Sequence, residues 1–156
     1  MVQSTSFGEA VSGWEPVSQY PVRPRLELGV VDKNRLFCGS AAYACDPISG
    51  DGIAFTVRAS ILAAAAVDRA SAGDRSALDF YRFRLSTAFA AHCHSCLRFY
   101  QSSCFANRWE DQIILMERQM RAFQQGLSRP DRLYVLDNLS LRPFELATQL
   151  HQGVTI

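Results

Sequence analysis

Apolar side chains recur every three or four residues along three stretches of this chain, the period of an α-helix that buries one face. The longest stripe runs from Leu78 through Tyr81, Leu85, Phe89, His92 and Cys96 to Tyr100, with Arg75, Asp79, Arg82 and Arg98 mainly off it. It predicts one long amphipathic helix with Asp74 as its cap, because a short acidic side chain can accept a bond from an unpaired N–H at a helix start. Ahead of it, Ile53, Val57, Ile61 and Ala64 predict an alanine-rich helix that Gly73 ends, and the small residues Ala59, Ala63 and Ala66 would let that helix sit close against a neighbour. A third helix is expected from Trp109, Ile113, Met116, Met120 and Phe123, with Glu117 and Arg121 four apart for a surface pair and Gly126 and Pro130 closing it.

Elsewhere the period changes. Short apolar runs at Leu26–Val31 and Leu36–Cys38 flank Asp32-Lys33-Asn34, whose side chains favour a turn, so a β-hairpin is expected there. A further apolar run at Leu133–Leu136 precedes an expected last helix over Phe144–Leu150, introduced by Pro143. Residues 1–24 carry Gly8, Gly13, Pro16, Pro21 and Pro24 among serines and are expected to form an irregular lead-in, with Trp14 and Tyr20 as its large apolar anchors. The result is a mainly α chain with a short β-hairpin.

Composition narrows the function classes. At 156 residues the chain is long enough to bury a core without disulfides or a structural metal. Sixteen basic against fifteen acidic residues give a net charge of +1, and the arginines are spread along the sequence, so no nucleic-acid footprint and no polybasic membrane anchor follow. The most apolar stretch, Ile53–Val67, contains Arg58 and is too short to cross a bilayer. Met1–Pro16 shows no secretory pattern, so a cytoplasmic location is expected, with Cys38, Cys45, Cys93, Cys96 and Cys104 as reduced thiols.

The stretch richest in candidate chemistry is Leu36 to Ile53: a strand, a loop holding Asp46, Pro47, Gly50, Asp51 and Gly52, and then a helix start. Glycines let backbone approach a ligand closely, and the first turn of a helix offers unpaired N–H groups with a positive dipole end, so such a loop suits an anion. The order of residues adds detail. Gly39, Ala41, Ala42, Asp46, Pro47, Gly50, Gly52 and Ile53 fall on the pattern G-D-A-A, spacer, D-P, two residues, G-x-G-[IV]. In this the chain resembles the large FAD-dependent flavoprotein family that includes aromatic hydroxylases, geranylgeranyl reductases and flavin-dependent halogenases. The resemblance implies the C-terminal portion of an α/β FAD-binding fold, with Gly39, Ser40, Ala42, Asp46, Pro47, Gly50, Asp51, Gly52 and Ile53 as cofactor-binding residues. In that family the N–H groups at the Gly50 to Ile53 positions face the O2 and N1 edge of the flavin ring, where a helix start stabilises the negative charge of reduced flavin. A looser likeness follows at Tyr81, Arg84, Phe99, Tyr100, Arg108 and Trp109, which resemble the helical C-terminal region of halogenase-like and cofactor-maturation monooxygenases.

Two departures qualify what the resemblance implies. Ser40 stands where the family has an aspartate; losing a charged acceptor for the ribityl hydroxyls costs about 1.5 to 3 kcal/mol, so FAD binding is expected to be weakened or lost. The dinucleotide fingerprint G-x-G-x-x-G is also absent, since Gly50-Asp51-Gly52 is followed by Phe55 at the last glycine position. No catalytic residue is assigned.

Competing chemistries fit less well. His92-Cys93-His94-Ser95-Cys96 has zinc-knuckle spacing, but it lies inside a helical stripe and lacks a second ligand pair, so no metal site is expected. Leu97 after Cys96 excludes a c-type haem motif, and Pro47 two residues before Ser49 excludes a G-x-S-x-G elbow. Asp51, just before a helix, reads more simply as a capping residue than as half of an acid–base pair with Asp46.

The resemblance therefore implies a partial FAD-dependent oxidoreductase of monooxygenase, halogenase or reductase type. Residues 25–156 would be a partial FAD-binding segment with a helical C-terminal cap. The isolated chain is expected to be inactive unless a partner polypeptide supplies the nucleotide-binding half. The alternative is a non-catalytic helical interaction or structural module derived from such an enzyme, with self-association of its unmatched surfaces; neither reading involves nucleic acid or a membrane.

Overall fold

The computed structural model describes residues 24–27, 29–32, 35–104, 106–126 and 128–144. Three helices dominate it: α1 (Gly52–Ser71), α2 (Ser76–Ser102) and α3 (Glu110–Gly126). Six short strands accompany them: β1 (Arg25–Leu26), β2 (Val31–Asp32), β3 (Arg35–Leu36), β4 (Tyr43–Ala44), β5 (Tyr134–Asp137) and β6 (Ser140–Pro143). They form three separate antiparallel pairs, β1 with β4, β2 with β3 and β5 with β6. The fold is thus mainly helical, and none of these helices is long and apolar enough to cross a membrane. The expected lead-in lies outside the described residues except for Pro24, and so does the expected last helix beyond Phe144.

α2 is the spine. Its 27 residues make a rod about 40 Å long at 1.5 Å per residue, and three apolar clusters follow one another along it. Its first half brings Ala77, Phe80, Tyr81 and Leu85 against Ala59, Ala63, Ala65 and Ala66 of α1 and against Tyr134 and Leu141 of the last hairpin. At its middle, Phe89 and Cys93 meet Tyr43 of β4. Its last third packs Cys96 and Tyr100 on Met116 of α3.

The predicted stripe of α2 is the buried one, and Glu117 and Arg121 of α3 lie 3.9 Å apart as expected. On α1 the small residues Ala59, Ala63 and Ala66 are buried in close contact as expected, whereas the larger apolar residues lie off that face, Ile53 being 84% exposed and Val57 53%. Side chains without bulk let two helix backbones approach, so the alanine stripe, not the stripe of larger apolar residues, faces α2.

The strands differ in partner. Val31–Asp32 pairs antiparallel with Arg35–Leu36 as the expected hairpin requires, but Leu26 is not part of that pair and pairs with Tyr43. The Leu133–Leu136 run becomes one arm of a hairpin whose turn holds Asn138 and Leu139 at φ 45° and 64°. Asp74 does not cap α2 through its side chain. Its carboxylate accepts from the Ser76 hydroxyl and from Arg69 and Arg132, and Ser76 in turn contacts the Tyr134 hydroxyl. These donors hold the Asp74 carboxyl well below the usual carboxylate range and tie the α1–α2 corner to the last hairpin.

Candidate functional site

The Leu36–Ile53 segment crosses the start of α1 in two short 3₁₀ turns, Gly39–Ala41 and Pro47–Ser49. Gly39 adopts φ +57°, and a Cβ there would lie 3.0 Å from Thr56 Cγ2, so glycine lets the first turn rest against α1. Ala42, almost fully buried, closes that turn by donating its N–H to the Gly39 carbonyl at 3.1 Å.

The second turn is built around Asp46, which is only 2% exposed. Asp46 Oδ1 accepts from the Ile48 N–H at 3.0 Å, which starts the turn. Tyr100 Oη donates to the same carboxylate at 3.0 Å, and Gln112 Nε2 approaches it at 3.5 Å. The Asp46 main-chain N–H donates to His92 Nε2 at 2.8 Å, which leaves the imidazole proton on Nδ1. Among the described residues no cation pairs with this buried carboxylate; hydrogen bonds alone compensate its loss of water. Burial pushes the Tyr100 hydroxyl upward, reinforced by the Asp46 carboxylate, so it stays a donor across the neutral range. Burial also lowers the His92 imidazole, with Asp46 and Asp51 acting against that shift.

Beyond the turn, Ser49 Oγ donates to the Asp46 carbonyl at 2.8 Å and accepts from the Asp51 N–H at 3.3 Å. Gly50 sits at φ +65°, and nothing lies within 4 Å of a Cβ built on Gly50 or Gly52. Asp51 does not cap α1, contrary to the simplest sequence reading; its carboxylate turns to Arg58 at 4.0 Å. Among the described residues no side chain bonds the first N–H groups of α1, which by helix geometry have no partner within the helix.

These features border a cleft of about 550 Å³. Of the nine expected cofactor contacts, Ser40, Asp46, Pro47, Gly50, Gly52 and Ile53 line it. Gly39 and Ala42 lie beneath it as packing positions, and Asp51 lines a separate groove on the other side of Tyr43. The structure adds Tyr43, Cys45, Thr56 and Val57 to the lining. Tyr43 stacks on Phe55 with ring centroids 3.7 Å apart and meets Phe89 edge-on at 5.3 Å, so its ring is a fixed wall. The Asp46 carboxylate, expected as a ligand contact, points instead into protein, where Tyr100 and Gln112 hold it.

Reactive groups are scarce around the cleft. Burial pushes the Cys93 and Cys96 thiols up to about 12 and about 11, and Cys45 also upward, so none supplies a thiolate at neutral pH. Among the described residues no three His, Cys, Asp or Glu side chains converge as metal ligands.

The cleft meets part of what a flavin needs. Open glycine positions and uncapped N–H groups suit the polar edge of an isoalloxazine ring, whereas the strand pairs, antiparallel and two to four residues long, include no strand–helix–strand unit to seat a pyrophosphate. Comparison of the chain with protein-family models, with curated proteins and with solved structures finds no match.

Proposed function

We propose that this chain contributes the flavin-side loop and the substrate-side helices of an FAD-dependent oxidoreductase of monooxygenase, halogenase or reductase type. One observation carries the reading: six of the nine residues singled out by the flavoprotein-like motif border one cleft at the uncapped start of α1. In this reading Gly52 and Ile53 present their N–H groups to the ring's pyrimidine edge, while Gly50, whose own N–H donates to the Pro47 carbonyl at 3.1 Å, turns the loop so that the backbone can approach it. Pro47 and Tyr43 bound the ring's position, and Ser40 hydrogen-bonds the ribityl chain in place of an aspartate. Asp46, His92 and Tyr100 are positioning residues that fix the loop from behind. When bound, the flavin would supply the hydride and electron chemistry; the chain's own contribution is to orient it and to favour negative charge at the N1 edge. The adenosine half would be seated by another polypeptide segment.

Because only the ring end has a seat here, FMN and FAD should bind the purified chain with similar micromolar affinity, read as quenching of flavin fluorescence. Ile53→Asp, which puts a carboxylate at the exposed helix start, should weaken both about tenfold without unfolding the chain. No quenching at high micromolar flavin would sink the cofactor role of the isolated chain.

A second reading, a non-catalytic interaction module, draws on the exposed apolar side chains Ile53 and Val57, which line the cleft, and Ile48 in the neighbouring 3₁₀ turn. Concentration-dependent self-association that Ile53→Asp abolishes, without any flavin binding, would favour it.

A further inference from the structure

On the opposite side of Tyr43 and Cys45 from the cleft lies a larger hollow, about 810 Å³, between α1, α2 and β5. A hollow of this size falls within the range of about 300 to 1,000 Å³ typical of small-molecule sites. Its walls are mainly apolar and rich in rings: Phe55 from α1, Phe80 and Leu85 from α2, and Tyr134 from β5. Water against such walls is readily displaced by a flat apolar body.

The charged groups around it are unequal. Arg58 turns to Asp51 at 4.0 Å, so those two largely offset each other. His92 accepts the Asp46 N–H and is neutral in that arrangement. Arg84 also lines the hollow, is exposed, and has no ion-pair partner among the described residues. One unengaged guanidinium over apolar walls matches a planar monoanion, because its fork of donors fits a carboxylate through two parallel bonds. A dianion would meet one cation without an ion-pair partner among the described residues, and the nearby Asp51 carboxylate.

We propose that this hollow binds a small aromatic carboxylate, its ring against Phe55, Phe80 and Tyr134 and its carboxylate on Arg84. The site is separate from the flavin reading and needs no flavin to be tested. Naphthalene-2-carboxylate and its uncharged counterpart 2-naphthalenemethanol, titrated into the full chain by calorimetry, are the probes. The carboxylate should bind once per chain, about tenfold or more tighter than the alcohol. Arg84→Gln should remove that preference and leave the alcohol's affinity unchanged. Ala88→Trp, which fills the hollow from α2, should abolish binding of both while the helical circular dichroism is retained. Ile53→Asp, in the other cleft, should change neither. Absence of saturable binding by the carboxylate, equal affinity for the two probes, or an unaltered preference in Arg84→Gln would each overturn the proposal, and none of them bears on flavin binding.

Discussion

Along its first half α2 meets α1 and the β5–β6 hairpin through Ala77, Phe80 and Leu85 set on a stripe of alanines. From its middle onward it meets the 46–50 loop, where His92 and Tyr100 hold the main chain and the buried carboxylate of Asp46. The first contact depends mainly on volume: its apolar side chains have no preferred direction and hold as long as the space is filled, with the Asp74–Ser76–Tyr134 bonds confined to its outer corner. The second depends on direction, since each bond fixes one donor against one acceptor and any one left unmade exposes a polar group to a medium that cannot solvate it. A single helix thus carries a joint that tolerates chemistry but not size and a seat that tolerates size but not chemistry. The seat is the one that holds the candidate loop.

Four changes would break or sharpen that contrast. The largest effect belongs to the joint: Phe80→Ala should cost about 3 to 5 kcal/mol in urea unfolding, with little variation between pH 5 and 8. Next comes the seat. Tyr100→Phe removes one hydroxyl and keeps the ring against Trp109, 5.0 Å away between centroids. It should cost about 1.5 to 3 kcal/mol, since the lost bond is to a buried carboxylate. Equal losses at Tyr100→Phe and at a polar surface position would show that the seat is not energetically special.

The seat should also respond to pH where the joint does not. Burial holds the His92 imidazole below its ordinary value of 6.5, so in that range the unfolded chain binds the proton more readily than the folded one. Stability is therefore complete above about pH 6.5 and falls as pH drops through the lower folded value. Protonation also removes the Nε2 acceptor of the Asp46 N–H. His92→Gln, whose amide oxygen can accept the same bond without titrating, should flatten the decline; an unchanged slope would assign the decline to other groups. The smallest effect lies in neither region. Leu139, 70% exposed, holds φ 64° in the β5–β6 turn, a conformation costly for a branched side chain. Leu139→Gly should raise the melting temperature, by up to about 1 kcal/mol of stability.

How much of this could be read from the sequence follows the same division. The stripe from Leu78 to Tyr100 gave away α2 and its buried face, and the glycines at 52 and 73 bracketed α1. The covered face of α1 was legible in the small residues Ala59, Ala63 and Ala66 but not in the helical period of Ile53 and Val57, because a close helix contact selects for small residues and leaves those two outside. The β1–β4 pair was hidden since each arm is two residues long and they lie 19 positions apart at Arg25 and Ala44. Only one arm of the last hairpin shows in the sequence, as an apolar run, for Asn138-Leu139 lacks the Asn-Gly signal that such a turn usually carries. Within the candidate site the glycines and Pro47 were legible from order and spacing. The role of Asp46 was not: its partners lie 46, 54 and 66 residues further on, and a lone acidic residue in a glycine-rich loop looks the same whether it faces a ligand or the protein.

Tyr43 is the thin partition between two hollows of different character, and this bears on how the chain can change over generations. A substitution there reshapes both at once, so any selection that refines one hollow through this position is paid in the other. Ser40 and Arg84 each border only one and are free to vary independently. Divergence among descendants of this chain should therefore accumulate at the outer rims, while the ring between them, stacked on Phe55, changes last.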